Sequence, residues 1–172
     1  MSVQSAMSPA QWSEVGARER FLAFYDESVD PLFTYLYRAT GGDRELAEDL
    51  AQDVFAVALR RVHAGDLDVM TIPWVITVGR NRFIDHCRRK ARWDHRAAVR
   101  VVEVTEPDST DDALAWLSGL PPLQRAAVAL RYIDDLPVRD VAHRLGKGTR
   151  ATESLIARAL RTLRTTERPF DA

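Results

Sequence analysis

Apolar residues return every three to four positions along most of this chain and almost nowhere alternate with polar ones. That spacing lines them up on one side of a helix of 3.6 residues per turn, so an all-α fold is predicted. Phe21, Phe24, Tyr25, Leu32, Phe33, Leu36 and Tyr37 mark a first helical stretch, interrupted near Pro31 and ended by Gly41 and Gly42. Asp43 is placed to cap the next helix, whose inward stripe reads Leu46, Leu50, Val54, Val57 and Val62. Phe55 and Leu59 add apolar bulk beside Asp49, Gln52 and Asp53, which suggests a partner surface; a well-buried helix is the plain alternative. A third helix is expected after Pro73, with Val75, Val78, Phe83 and Cys87 inward. Its other side carries Asn81, Asp85, Arg88 and Arg92 at helical spacing, with Arg89, Lys90 and Trp93 at the end. Arginines beside an exposed aromatic can grip phosphates and stack on an unpaired base, although a solvated face would read the same way. The mixed stretch HAGDLDVMTI ahead of Trp74 has the length of a loop that could pocket a flipped base.

The densest pattern lies near the C-terminus. Val138, Val141, Ala142 and Leu145 form one apolar stripe, Gly146 stops that helix, and a second begins at about Thr149. In the second, Thr152, Leu155, Ile156, Ala159 and Leu163 are predicted to be buried, and Arg150, Ser154, Ala157, Arg158 and Arg161 to line the opposite side. This is the layout of a helix-turn-helix whose outer stripe suits a DNA major groove. Arginine can bond guanine edges bidentately or hold phosphates, Ser154 can do either more weakly, and Glu153 could accept from a cytosine amino group.

Composition narrows the class without choosing within it. The 172 residues are 46% hydrophobic and 28% charged with a net charge of −1, which excludes wholesale disorder and argues against non-specific coating of nucleic acid. No apolar run reaches the ~20 residues that span a bilayer, and the N-terminus lacks the order of a signal peptide. A cytoplasmic protein without membrane insertion is therefore expected. The single cysteine, Cys87, allows no internal disulfide and reads as a core residue.

The charge is arranged in blocks. Residues 43–53 are acidic, residues 80–100 are strongly basic, and VVEVTEPDSTDDA turns acidic again while losing helical periodicity. A flexible acidic linker at 100–113 would then join two small helical domains, 20–99 and 114–168, between a mobile N-terminal tail at 1–19 and a short tail at 169–172.

Three segments in this order carry a resemblance to a known family. GGDRELAEDLAQDVFAVAL, PWVITVGRNRFIDHCRRKAR and LPPLQRAAVALRYIDDLPVRDVAHRLG resemble, respectively, the core-binding helix of region 2, the promoter-melting helix of region 2 and the opening of region 4 in extracytoplasmic-function (ECF, group 4) sigma factors of the sigma-70 family. The ATESLIARA segment is similar to an actinobacterial subset of them. The resemblance implies a transcription initiation factor that binds core RNA polymerase and directs it to promoter DNA. Asp49, Gln52, Asp53, Phe55 and Leu59 would bind the clamp coiled coil of the β′ subunit, and region 4 would meet the β flap. Trp74, Asn81, Asp85, Arg88, Arg89 and Arg92 would engage the minus-10 element, and Arg150, Glu153, Ser154, Arg158 and Arg161 the minus-35 element. An anti-sigma factor is a further partner that the family admits. Lys147, Gly148 and Thr149 stand where many members place apolar residues, and Thr152 holds a usually apolar position, which predicts a more mobile turn.

Two rivals belong to other classes. An enzyme would build on Asp85, His86, Asp94 and His95 as a metal or acid-base cluster, yet neither a nucleophile motif nor a glycine-rich phosphate loop accompanies them. No catalytic residue, metal or cofactor is expected. A stand-alone helix-turn-helix regulator would pair two recognition helices across a palindrome, but the chain shows no heptad seam for a dimer.

Overall fold

The computed structural model describes residues 9–66, 71–97 and 116–166, with side chains over 16–66, 71–94 and 116–165. The expectations for residues 1–8, the loop at 67–70, the acidic linker and the C-terminal tail lie outside the described residues. All regular structure among those described is helical.

Helix α1 runs unbroken from Pro9 to Thr40, where the sequence predicts a tail to residue 19 and an interruption at Pro31. Proline inside a helix removes one hydrogen bond and costs about 3 kcal/mol. Here Leu32 and Leu36, both wholly buried immediately after it, hold the helix together by packing. The buried Ser28 hydroxyl meanwhile donates to the Phe24 carbonyl at 2.5 Å.

Helix α2, Arg44–His63, is capped as expected: the Leu46 amide donates to Asp43 Oδ1 at 3.0 Å. Its buried side is Ala47, Leu50, Ala51, Val54, Phe55 and Ala58; of the predicted stripe, Leu50 and Val54 are buried, Leu46 is partly buried against the core, and Val57 and Val62 are half-exposed. Helix α3, Ile72–Ala97, takes Pro73 into its first turn, where the missing amide costs no hydrogen bond. Val75, Phe83, Ile84 and Cys87 are buried, with Val78 partly so. Gly79 lets α3 press on α1, since a Cβ there would stand 2.8 Å from Leu32 Cδ1.

The C-terminal part opens with a short helical turn at 116–118 and continues into helix α4, Pro122–Val128. Helix α4 widens into one π turn over Ala129–Ile133, in which the Asp134 amide reaches back to the Ala129 carbonyl at 3.2 Å. Helix α5, Val138–Leu145, ends at Gly146 in the left-handed conformation, and the Lys147 amide closes the turn on the Ala142 carbonyl at 2.9 Å. Helix α6 is Thr149–Thr166.

Leu117, Leu120, Val128, Ala159 and Leu163 make a small core under α6. The remaining apolar residues of α4 to α6, among them Leu130, Val141, Leu145, Leu155 and Ile156, join those of α1 to α3 in a single cluster. The two helical groups that charge patterning separates are thus packed on each other. Arg125 sits in that joint, with its guanidinium donating to the carbonyls of Thr40 at 3.2 Å and of Ser118. Burial lowers its pKa, as expected of a guanidinium answered by carbonyls and not by a carboxylate.

Candidate nucleic-acid interface

Helix α6 divides its residues as its periodicity requires. Thr152 and Ala159 are fully buried, Leu155, Ile156 and Leu163 nearly so, and Arg150, Glu153, Ser154, Arg158 and Arg161 all point to solvent. The Thr152 hydroxyl donates to the Gly148 carbonyl at 3.1 Å, beside the backbone bond from its own amide at 3.0 Å. A polar side chain at an apolar position is thereby satisfied, and it ties down the turn that the sequence alone suggests is loose. The Arg158 Nε donates to the Ser154 carbonyl at 3.2 Å, which lays this side chain along a shallow groove shared with Arg161 and Arg164. Three cations along one face can meet a phosphate backbone or base edges.

A second polar surface lies on α3. Asn81, Asp85, Arg89 and Arg92 are exposed, and Trp93 keeps 73% of its surface in solvent. Trp74, at the N-terminal end, is half-buried against the core. Arg88 differs from its neighbours: one end meets Asp85 at 3.4 Å, and the other donates to the Arg144 carbonyl in the last turn of α5. Asn81, Asp85 and Arg88 accordingly face Asp140, His143 and Arg144 across a cleft of about 570 Å³.

On the far side of the N-terminal helices, α1 and α2 frame an apolar groove of about 610 Å³. Phe55, only 9% exposed, forms its floor with the Tyr25 ring 4.5 Å away, centroid to centroid. Asp49, Gln52, Asp53 and Leu59 stand exposed along α2. Tyr25 is itself partly open to solvent, and Leu22 of α1 is exposed as well. The sequence places Tyr25 only among the apolar residues of the first helical stretch; its spacing of i+4 from Phe21 gives no sign that it is exposed.

The rival chemistry gains no support from the geometry. Among the described residues no group of three or more His, Cys, Asp or Glu could hold a metal ion, and the His95 side chain lies outside them. Burial pushes the Cys87 thiol up to about 12, so it remains protonated and unreactive.

Residues 24–93 match the family described as sigma-70 region 2, and residues 111–163 match sigma-70 region 4. The chain is 29% identical over 169 residues to the ECF RNA polymerase sigma factor BldN of Streptomyces coelicolor, a match that takes in 91% of this chain and 64% of that protein's length. It is 26% identical to the ECF sigma factor SigM of Bacillus subtilis, over 81% of this chain and 90% of that one. The sigma factor RpoE of Bartonella quintana, solved in complex with the anti-sigma factor NepR, shares the fold at a TM-score of 0.51 and 20% identity, with 88% of this chain and 98% of that one covered. With regions 2 and 4 in their family order on helices that expose an arginine face and an apolar groove, the chain belongs to the sigma-70 family as an ECF sigma factor of RNA polymerase.

Proposed function

We propose that this protein binds core RNA polymerase through the α1–α2 groove and recruits it to promoters that it reads at two places. Gln52, Phe55 and Leu59 line that groove and Asp49 and Asp53 stand exposed on the same helix, together an acidic and apolar surface suited to the clamp coiled coil of the β′ subunit. Region 4 approaches the β flap. Helix α3 engages the minus-10 element with Asn81, Asp85, Arg88, Arg89 and Arg92, while Trp74 and the loop before it receive an extruded base. Unstacking costs a few kcal/mol per base, which stacking and pocket contacts of about 1–3 kcal/mol each offset. Helix α6 reads the minus-35 element with Arg150, Glu153, Ser154, Arg158 and Arg161.

The exposed arginine stripe of α6, behind the Gly146 turn, is the observation that carries this reading, because a buried stripe opposite it fixes which side chains face outward. Group 4 membership, an actinobacterial source, a cytoplasmic site of action and control by an anti-sigma factor belong to the same reading. RpoE of Bartonella quintana supports the last by analogy alone. The test is transcription: purified protein added to core bacterial RNA polymerase should initiate from a subset of fragments of its own genome, and the start sites would reveal both elements. Binding to DNA without binding to core polymerase would make it a stand-alone helix-turn-helix regulator instead.

A further inference from the structure

The later turns of α3 border a cleft of about 650 Å³ whose other walls come from α4 and from the turn between α5 and α6. Arg88 and Arg92 stand at i and i+4 on one side of α3, with the small Ala91 beside them leaving room. A half-buried Leu123 and a nearly buried Leu145 supply apolar surface, and Gly146 and Lys147 close the side nearest α6. Three of the lining residues are cations and none is an acid. The walls are fixed relative to one another. Asp134, whose side chain is 4% exposed, accepts from Arg80 Nη2 at 2.6 Å, from Arg80 Nε at 3.0 Å and from the Tyr35 hydroxyl at 3.0 Å, which ties the end of the π turn to α1 and α3.

The charge in this cleft is only partly answered by the protein. Arg88 meets Asp85 at 3.4 Å in a solvated pair and donates to the Arg144 carbonyl. Those two bonds hold its guanidinium close to the bare backbone of Gly146, where a Cβ would stand 3.5 Å from Nη2, and most of its N–H donors are left unused. Arg92 and Lys147 are exposed, and neither has a carboxylate partner among the described residues. A cleft lined by one sign of charge between low-dielectric walls concentrates the field and draws in counter-ions. Like charges repel, and an anion seated among all three cations relieves that repulsion.

We propose that this cleft is a binding site for a nucleoside di- or triphosphate, with the phosphates on Arg88, Arg92 and Lys147 and the base against Leu123 and Leu145. Guanidinium forks match phosphate oxygens bidentately, and lysine adds a point charge. The volume is that of a small-molecule pocket, which typically spans about 300–1,000 Å³. The apolar wall favours a nucleotide over a duplex backbone, because sugar and phosphate alone offer no flat apolar face to lay on two leucines. Neither α3 nor the α5–α6 turn forms the site without the other. It stands apart from the α1–α2 groove and from the outer face of α6, and its chemistry is independent of the promoter assignments above.

The experiment is isothermal titration calorimetry of the full chain with ATP and with tripolyphosphate, in the absence of divalent cations. Arg92→Ala and Lys147→Ala are the variants, since both side chains are exposed and their removal leaves the packing alone. Circular dichroism and thermal unfolding check that each stays folded. ATP should bind one-to-one and saturate, and each variant should bind it about tenfold more weakly, as the loss of a charge-assisted contact implies. Tripolyphosphate should bind more weakly than ATP. The absence of saturable ATP binding, or equal affinity in the wild type and both variants, would overturn the site. Tripolyphosphate binding as tightly as ATP would overturn the nucleotide assignment. A parallel titration with random-sequence duplex DNA separates the other source of phosphate: if Lys147→Ala loses as much on that duplex as on ATP, the cleft seats the DNA backbone instead. Transcription with core polymerase tests the sigma-factor reading separately, so either can fail without the other.

Discussion

Gly79 and Leu32 meet where α3 crosses α1, and a methyl group on Gly79 would stand 2.8 Å from Leu32 Cδ1. Leu32 is wholly buried and Leu36 lies next in line at 3.6 Å, so the leucine has no free volume into which to turn. Gly79→Ala sets a helix-propensity gain of up to about 1 kcal/mol against overpacking of about 1–3 kcal/mol. Overpacking should win. The expected result is a melting temperature lower by a few degrees, at about 2–4 °C per kcal/mol for a chain of this size, read by thermal unfolding. An unchanged or raised melting temperature would show that the two helices can part at no cost.

The groove separates two kinds of residue that the sequence groups together. Phe55 packs edge-on against Phe24 and close to Tyr25, so truncating it to alanine removes core and should destabilise the fold by about 3–5 kcal/mol. Asp53 and Leu59 are exposed and can be changed without that penalty. The double variant Asp53→Ala, Leu59→Ala should keep the wild-type melting temperature within about 2–4 °C, given that each surface change falls within about ±0.5 kcal/mol. Its affinity for core polymerase should fall at least tenfold, or about 1.4 kcal/mol, in a titration monitored by fluorescence anisotropy. Retention of full affinity would move the docking surface elsewhere.

What could be read in advance divides along a physical line. The buried stripe of α6, the cap at Asp43 and the stop at Gly146 are local: each follows from the 3.6-residue period or from the conformation of one residue, and each stands where the sequence puts it. Exposure of Asp49, Asp53, Arg89, Arg92, Arg150 and Arg158 follows from the same period. Pro31 misleads because its local preference is overruled by the burial of Leu32 and Leu36, which only the assembled core supplies. Tyr35 and Asp134 lie 99 residues apart, and a buried hydrogen bond between distant residues leaves no periodic trace. Nor does the π turn, which is defined by a hydrogen bond one residue longer than usual and not by composition. Hence the partial engagement of Arg88, which donates across the cleft to the Arg144 carbonyl of α5, is a tertiary fact.

His86 gives the protein a pH dependence of definite sign. Burial lowers its pKa, and the charges of Lys90, Arg89 and Arg125 lower it further, with Asp43 acting weakly the other way. The folded protein therefore keeps the imidazole neutral at a pH where the unfolded chain, near its ordinary value of about 6.5, takes up a proton. The unfolded state binds more protons, so stability is full above about pH 6.5 and falls as the pH drops through that value toward the folded pKa. Urea midpoints at pH 7.5, 6.5 and 5.5 should decline in that order for the wild type. His86→Gln should flatten the series, and an identical decline in the variant would assign it to other groups.

Arg158 is the sharpest probe of the α6 face, because it is exposed at the centre of the helix and held only by one bond to the Ser154 carbonyl. It can therefore be removed with little effect on folding. If its guanidinium reads a base edge, Arg158→Ala should lose about 1–3 kcal/mol on the preferred minus-35 duplex and relax the base preference at one position. If it holds a phosphate, the loss should be equal on a scrambled duplex, and the slope of log affinity against log salt should shrink by about one. Binding of Arg158→Ala to both duplexes over a series of salt concentrations separates these outcomes. Glu153 sharpens the comparison: a carboxylate on the same face repels phosphate, so Glu153→Gln should strengthen binding to scrambled DNA while weakening any preference for cytosine at its position. Equal binding of Arg158→Ala and wild type to both duplexes would take α6 out of the DNA interface.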